Sequence, residues 1–461
     1  MKTFGAHLTL GLTALALAGC GILGGGGGGD KTPKTPTIGQ RVAILTSETG
    51  IEVEPSLVDV GVLLPEAIAN SEWSQPGGNV TKVLGHVALG LAVGPVWSAK
   101  ISGTSNTVRL AASPIVAEGK VFVVDSYARL HAFDVQSGNA IYTAQVGADK
   151  DTRGAGAFAI IGRGRSSDRG LLFGGGVSYG AGILYATNGI GDVVAFNAAD
   201  GKPLWRVRPS GPLRGAPTVT EDKIYVMSQD NQLLALNIKD GTLAWSQAAS
   251  TELTGIFGVA APAVAQGTVV AGFSSGELNA YRYENGRSLW GDALSRTSIS
   301  TSVSSLSDVD ASPAIDRGRV FAIGQGGRMV SLELVTGQRL WEINVAGIST
   351  PWVAGEWLFV IDDEARLLCI ARANGKIRWI SQLRAFEKQK KKSGKISWTG
   401  PLLAGNRLIV ASSDGKLVNI DPTTGTVQNE TKAGGSVSLP PVVASNTLFI
   451  LTDDGRLTAW R

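Results

Sequence analysis

Short segments in which β-branched and aromatic residues alternate with small or polar ones recur along most of the chain, as in Val121-Phe122-Val123-Val124, Ile224-Tyr225-Val226 and Leu448-Phe449-Ile450. Each is followed by a polar turn, such as Ser413-Asp414-Gly415 or Asp453-Asp454-Gly455, and then by a second apolar segment. Period-two alternation broken by turn residues predicts antiparallel hairpins. Turns such as Ser137-Gly138 and Asp240-Gly241 end in the residue type that takes a positive φ without a Cβ clash.

A fixed frame underlies the alternation. A small or polar residue is followed six positions later by Gly and four positions after that by an aromatic, in the blocks Ala132/Gly138/Tyr142, Ala195/Gly201/Trp205, Ala235/Gly241/Trp245, Ala280/Gly286/Trp290, Ser331/Gly337/Trp341, Cys369/Gly375/Trp379 and Asn419/Gly425/Asn429. Only the last lacks its aromatic. Eighteen residues before each small position stands a second marker, Pro114, Val177, Pro217, Pro262, Pro313, Pro351, Pro401 and finally Pro441, which pairs with Ala459. Four strands per unit and eight units predict an all-β fold, an eight-bladed β-propeller of four-stranded antiparallel blades. The eighth unit reaches Arg461 after its third strand, and Val96-Trp97-Ser98 resembles a fourth-strand segment. The ring is therefore expected to close with this N-terminal strand, which removes open sheet edges. Trp97, Trp205, Trp245, Trp290, Trp341 and Trp379 are expected to dock between neighbouring blades, each burying about 200 Å². Cys369 fills a slot that Ala fills in other units and reads as a small core residue.

Composition narrows the function classes. The 461 residues hold 43% apolar residues, 11 Trp and only 17% charged residues, which suits a large core and excludes a disordered chain. Lys+Arg 42 against Asp+Glu 38 leaves +4, too little for binding nucleic acid by phosphate neutralisation. Three His and two Cys, Cys20 and Cys369, do not supply a structural zinc site or a disulfide framework, and no metal or other cofactor is expected.

Lys2 precedes an apolar run from Ala6 to Ala18, the length of a signal-peptide core and short for a membrane span. It ends in Leu17-Ala18-Gly19-Cys20, which resembles the lipobox of bacterial lipoproteins. That resemblance implies cleavage before Cys20 and its lipidation, with acyl chains as the membrane anchor. Gly21 in place of Asp implies, by the same resemblance, the periplasmic face of the outer membrane. Six glycines, Gly24 to Gly29, and the spaced prolines Pro33 and Pro36 predict a flexible tether. The expected organisation is a signal peptide over 1–19, lipidated Cys and tether over 20–39, an N-terminal segment over 40–95, and the propeller over 96–461.

The Ala-x-Asp/Asn-x-x-x-Gly-x-x-x-Trp pattern, as in Ala195-Phe196-Asn197 through Gly201 to Trp205, resembles the tryptophan-docking repeat of quinoprotein dehydrogenases and their non-enzymatic relatives. The resemblance implies either a sugar or alcohol dehydrogenase dependent on pyrroloquinoline quinone, or a scaffold lipoprotein of the BamB family in outer-membrane protein assembly. Fold alone does not choose. Three features favour the scaffold. Lipobox, tether and eight units take up nearly the whole sequence, no two Cys are adjacent to form the vicinal disulfide of alcohol-oxidising quinoproteins, and two segments are similar to the family's contact surface for BamA, the barrel protein that inserts outer-membrane proteins. These are Leu213-Arg214-Gly215 and Asp308-Val309-Asp310, and the resemblance implies partner binding by Leu213, Arg214, Asp308 and Asp310, with other assembly lipoproteins and unfolded outer-membrane proteins as further partners. Where the family often carries an aliphatic residue two positions before the Leu, this chain has Gly211.

Both segments lie between units, in connections of 10 to 35 residues that vary while the spacing inside each unit stays fixed. Such loops on a rigid scaffold are where binding residues concentrate. An exposed Leu beside an Arg suits an interface anchor, and an acidic pair suits a basic partner patch. The alternative for Asp308 and Asp310 is turn capping. Two further connections stand out. One is a Gly- and Arg-rich insertion over 147–173; the other carries Lys388, Lys390, Lys391, Lys392 and Lys395 and suits either plain solvation or contact with an anionic lipid or acidic partner.

Overall fold

The alternating segments form strands in groups of four. A computed structural model describes residues 51–105, 109–147, 175–250, 260–294 and 308–461. Seven four-stranded antiparallel sheets follow in chain order: blade 1 over 115–145, blade 2 over 175–207, blade 3 over 218–248, blade 4 over 263–293, blade 5 over 314–343, blade 6 over 352–382 and blade 7 over 398–432. Blade 8 takes three strands from 442–460 and its fourth from Pro95–Lys100, which pairs antiparallel with Arg456–Trp460. The fold is the expected eight-bladed propeller, closed by the N-terminal strand.

The repeat frame has a direct structural cause. In every blade the small residue stands across from the fourth-strand aromatic position, as in Ala132 opposite Tyr142, Cys369 opposite Trp379 and Ala459 opposite Trp97. In blades 1 to 7 the ladder register shifts immediately after the small residue. That bulge bends the third strand and aims the following turn toward the preceding blade. The glycine of the turn then receives the previous blade's aromatic. A Cβ on Gly337 would stand 2.5 Å from Cγ of Trp290, and one on Gly138 would stand 2.5 Å from Trp97. The same pairing joins Gly201 to Tyr142, Gly241 to Trp205, Gly286 to Trp245, Gly375 to Trp341 and Gly425 to Trp379. Each ring also donates a hydrogen bond into the next blade, such as Trp290 Nε1 to the Leu334 carbonyl at 2.8 Å and Tyr142 Oη to the Ala198 carbonyl at 3.0 Å. Asn429 has no glycine turn to dock on, because blade 8 takes its fourth strand from Pro95–Lys100 rather than from a hairpin. It bonds Asn419 across its own sheet at 2.7 Å instead.

Residues 70–88 show no strand periodicity, yet they make one circuit of the channel mouth. They visit the first strand of every blade in ring order. Asn70 meets Val443 of blade 8, Trp73 exchanges two backbone hydrogen bonds with Val116 of blade 1, and the Ser74 carbonyl accepts from Tyr179 of blade 2. The Gln75 amide acts as a surrogate peptide, both donating to and accepting from Val219 of blade 3. Val80 and Thr81 accept from Val264 and Ile315, Gly85 accepts from the Trp352 indole, and Val87 donates to Leu403. Seven of these partners stand two residues after the marker of their unit. The strap thus satisfies the innermost backbone edges, which would otherwise be unpaired. Trp73 is 4% exposed and stacks on Trp352 of blade 6 at 6.3 Å.

Candidate functional site

Four residues before the marker proline the backbone turns inward. Leu110, Leu213, Val309 and Val437 occupy this position and all are buried. The position five before the marker has a repeating role of its own: the carbonyls of Pro212, Asp308, Ala346 and Ser436 accept from the turn between second and third strands of the same blade, at 2.8 to 3.0 Å. Val309 N–H also donates to Phe273 of blade 4 at 3.1 Å, so the segment bridges two blades. Leu213 is a wedge in the core between blades 2 and 3, with Val193, Ala195, Val226 and Leu234. It is 0% exposed. The expectation of an exposed anchoring leucine is therefore corrected: the position needs an apolar side chain because it closes an interblade core.

Arg214 and Asp310 stand at the next position of the frame, three before the marker. Arg214 is 7% exposed, and its guanidinium donates through Nη2 to Asn231 Oδ1 at 2.9 Å and to Ser274 Oγ. Ser274 in turn donates to the same Asn231 oxygen at 2.6 Å. This network joins the turns of blades 3 and 4. Asp310 accepts from Gln325 Nε2 at 2.6 Å, and its Oδ1 has no hydrogen-bond partner among the described residues.

The two segments, far apart in sequence, share one electrostatic environment. Burial pulls the Arg214 pKa down, against the opposing fields of Asp310, Asp308 and Asp230. Burial first, then the Asp308 charge, pushes the Asp310 carboxyl up to about 7, with Arg214 and the Gln325 bond working the other way. Asp308 itself is 1% exposed. Arg214, Asp308 and Asp310 are thus brought together on the connection side of blades 3 to 5, with Arg214 and Asp308 buried and Asp310 partly exposed.

Other residues singled out in the sequence fall as follows. Trp245, Trp290, Trp341 and Trp379 are buried, while Trp97 and Trp205 are partly buried. Cys369 is buried in an apolar core that raises its thiol pKa. Among the described residues no group of three or more His, Cys, Asp or Glu side chains is placed to hold a metal ion, and no helix is long and apolar enough to cross a membrane. Cys20, the tether and residues 148–173 of the insertion lie outside the described residues. Of the strap, the sequence pointed only to Trp73-Ser74-Gln75-Pro76-Gly77-Gly78 as a segment that packs on the disc, and its circuit of the ring was not foreseen. Apart from side chains such as those of Asn70, Gln75 and Lys82, its bonds to the blades use its main-chain groups, so the main signal was the repeated inner-strand position it reads.

A family model described as "Outer membrane protein assembly factor BamB" matches residues 74–172, 162–381 and 384–460. An outer membrane protein assembly factor BamB of Yersinia pestis is 25% identical over 284 residues, covering 62% of this chain and 69% of the relative. One from Shewanella oneidensis is 27% identical over 285 residues, covering 61% and 69%. The aligned part spans about two thirds of each relative. Among solved structures, BamB from Moraxella catarrhalis superposes with a TM-score of 0.62 at 14% identity, covering 80% of this chain and 98% of that one. A quinohemoprotein alcohol dehydrogenase from Comamonas testosteroni reaches 0.65 at 14% identity, covering 86% and 81%. The superpositions establish the shared propeller and do not separate scaffold from enzyme.

Proposed function

The chain belongs to the outer membrane protein assembly factor BamB family, and from that premise we propose that it is a non-enzymatic scaffold lipoprotein, anchored through Cys20 to the outer membrane and facing the periplasm. In this role it binds the periplasmic domains of BamA and assists the insertion of β-barrel proteins. The observation that carries the docking reading is the convergence of Arg214 with Asp308 and Asp310 between blades 3 and 5. Rigid turns hold both signs of charge there, at the side of the ring where loop length is free to vary. Leu213 serves the same surface from beneath by fixing the backbone that carries Arg214.

The occupied inner strand edges bear on how client strands would be met. With the inner edges occupied by residues 70–88, only the outer, fourth strands remain as backbone templates. One of them already carries an extended segment: Val53 pairs in parallel with Ile377 of blade 6, and Glu54 N–H donates to the Ile377 carbonyl at 2.8 Å. That geometry supports strand addition at outer edges as the mode of client contact.

The test is recovery of partners from detergent-solubilised envelope, with residues 30–461 as bait. BamA is expected among the bound proteins, and Arg214→Ala with Asp310→Ala should remove it. A folded bait that recovers no BamA would contradict the proposal. Dye-linked sugar or alcohol oxidation after adding pyrroloquinoline quinone and Ca²⁺ would move the assignment to the dehydrogenase reading.

A further inference from the structure

The connection from blade 6 to blade 7 folds into a small hairpin of its own, in which Phe386–Lys388 pairs with Ser393–Lys395. A single turn of 3₁₀-helix, Gln389–Lys391, closes it, and Lys392 reverses the chain in the left-handed region at φ 46°. The root is fixed. Ile396 N–H donates to the Ala385 carbonyl at 2.9 Å, the Trp398 indole donates to the Arg384 carbonyl at 2.8 Å, and Ile396 is buried in the core of blades 6 and 7. Everything from Glu387 to Lys395 is exposed.

The exposed part carries Lys388, Lys390, Lys391, Lys392 and Lys395 against one carboxylate, Glu387. Among the described residues none of the five forms an ion pair, whereas Lys100, Lys202, Lys223, Lys376 and Lys416 each have a carboxylate partner within 4 Å. Five like charges on a nine-residue projection repel one another, and Glu387 is the one opposing charge on it. A fold that holds them out on an ordered stem presents them to an external anion.

The residue types select which anion. The tip holds no Arg and no aromatic side chain. Protein interfaces concentrate binding in Arg and aromatic anchors and are depleted in Lys, and single-stranded nucleic acid is held by aromatic stacking. Lysine is a flexible point charge without a preferred planar geometry, which suits a laterally mobile array of phosphates. We propose that this hairpin is a membrane-contact element that adsorbs to anionic phospholipid headgroups. The proposal goes beyond the BamA docking reading and does not depend on it, since it concerns a different connection and a different ligand.

At about 1 kcal/mol per lysine near an anionic surface, each lysine strengthens adsorption roughly fivefold. The screening length of about 8 Å at physiological salt requires the tip itself to touch the headgroups. The test uses the chain from Gly21 onward, which lacks the acylated cysteine, in co-sedimentation with vesicles of phosphatidylcholine alone or with about one third phosphatidylglycerol. Binding is expected only to the anionic vesicles and should disappear in high salt. The pair Lys390→Gln and Lys391→Gln should weaken it roughly 25-fold, the product of two such factors, while Lys202→Gln with Lys432→Gln leaves it near wild type. A circular-dichroism melt confirms that each variant is folded. Absence of binding to anionic vesicles, or equal binding by the hairpin variant, overturns the proposal. Hairpin-dependent binding to polyglutamate without vesicle binding also overturns it and assigns the tip to an acidic protein.

Discussion

Replacing Gly337 by Ala places a methyl group where the Trp290 ring of the neighbouring blade lies, 2.5 Å from Cγ and 2.7 Å from Cδ2. Gly318, in the same blade, has nearly the same φ, 72° against 71°, but a Cβ there meets nothing within 4 Å. The pair separates two reasons for a glycine. Both substitutions carry the cost of a left-handed Ala, roughly 1–2 kcal/mol, offset in part by a stiffer unfolded chain. Only Gly337→Ala must also displace the indole. Overpacking of this kind costs about 1–3 kcal/mol, and loss of the 2.8 Å bond to Leu334 strands a carbonyl at roughly 1–3 kcal/mol more. Gly337→Ala should therefore be less stable than Gly318→Ala by about 2–6 kcal/mol in urea unfolding at unchanged m value. Equal destabilisation, within about 0.5 kcal/mol, would mean that the repeat glycines serve only their turns and that the aromatics do not dock the blades.

Other expectations concern buried groups. Lys82 in the strap is 2% exposed and bonds Thr218 Oγ1 at 3.1 Å; burial pulls its pKa down to about 7. The unfolded chain holds the extra proton between pH 7 and the ordinary lysine range, so stability should rise with pH across that window by up to ~1.4 kcal/mol per unit. Lys82→Met should flatten this slope and be the more stable protein at pH 6, as read from urea midpoints against pH. Asp310 has the opposite sign. Its folded pKa is raised to about 7, so its contribution is full below pH 4 and is lost as pH rises to 7, and Asp310→Asn should remove that decline. Leu213→Ala should cost about 2–5 kcal/mol as a core cavity, whereas Leu213→Met should cost under ~1.5 kcal/mol and leave partner binding intact.

The ring was readable because its determinants are side chains at a constant spacing. A small residue faces an aromatic, a glycine receives that aromatic, and both constraints repeat in each blade from 1 to 6. The closing strand was readable for the same reason, through Trp97. The strap was not, since Trp73 and Val80 bond through main-chain atoms that any residue carries. The burial of Leu213 could have been inferred. Leu110, Val309 and Val437 share its place in the frame, and an apolar residue repeated at one position marks a core contact rather than a surface anchor. The meeting of Arg214 with Asp310 required knowing that blade 4 touches both segments, Arg214 through Ser274 and Val309 through the Phe273 carbonyl, which no local pattern encodes.

The docking claim is tested most directly by titrating purified BamA periplasmic domains into the wild-type chain and the Arg214→Ala and Asp310→Ala variants by calorimetry. The lysine-hairpin variant serves as a control with an intact docking cluster. Removing one member of a charged contact should weaken affinity at least tenfold, about 1.4 kcal/mol or more, in the first two variants and not in the third. Wild-type affinity in folded Arg214→Ala and Asp310→Ala proteins would contradict the claim and remove this cluster from the interface.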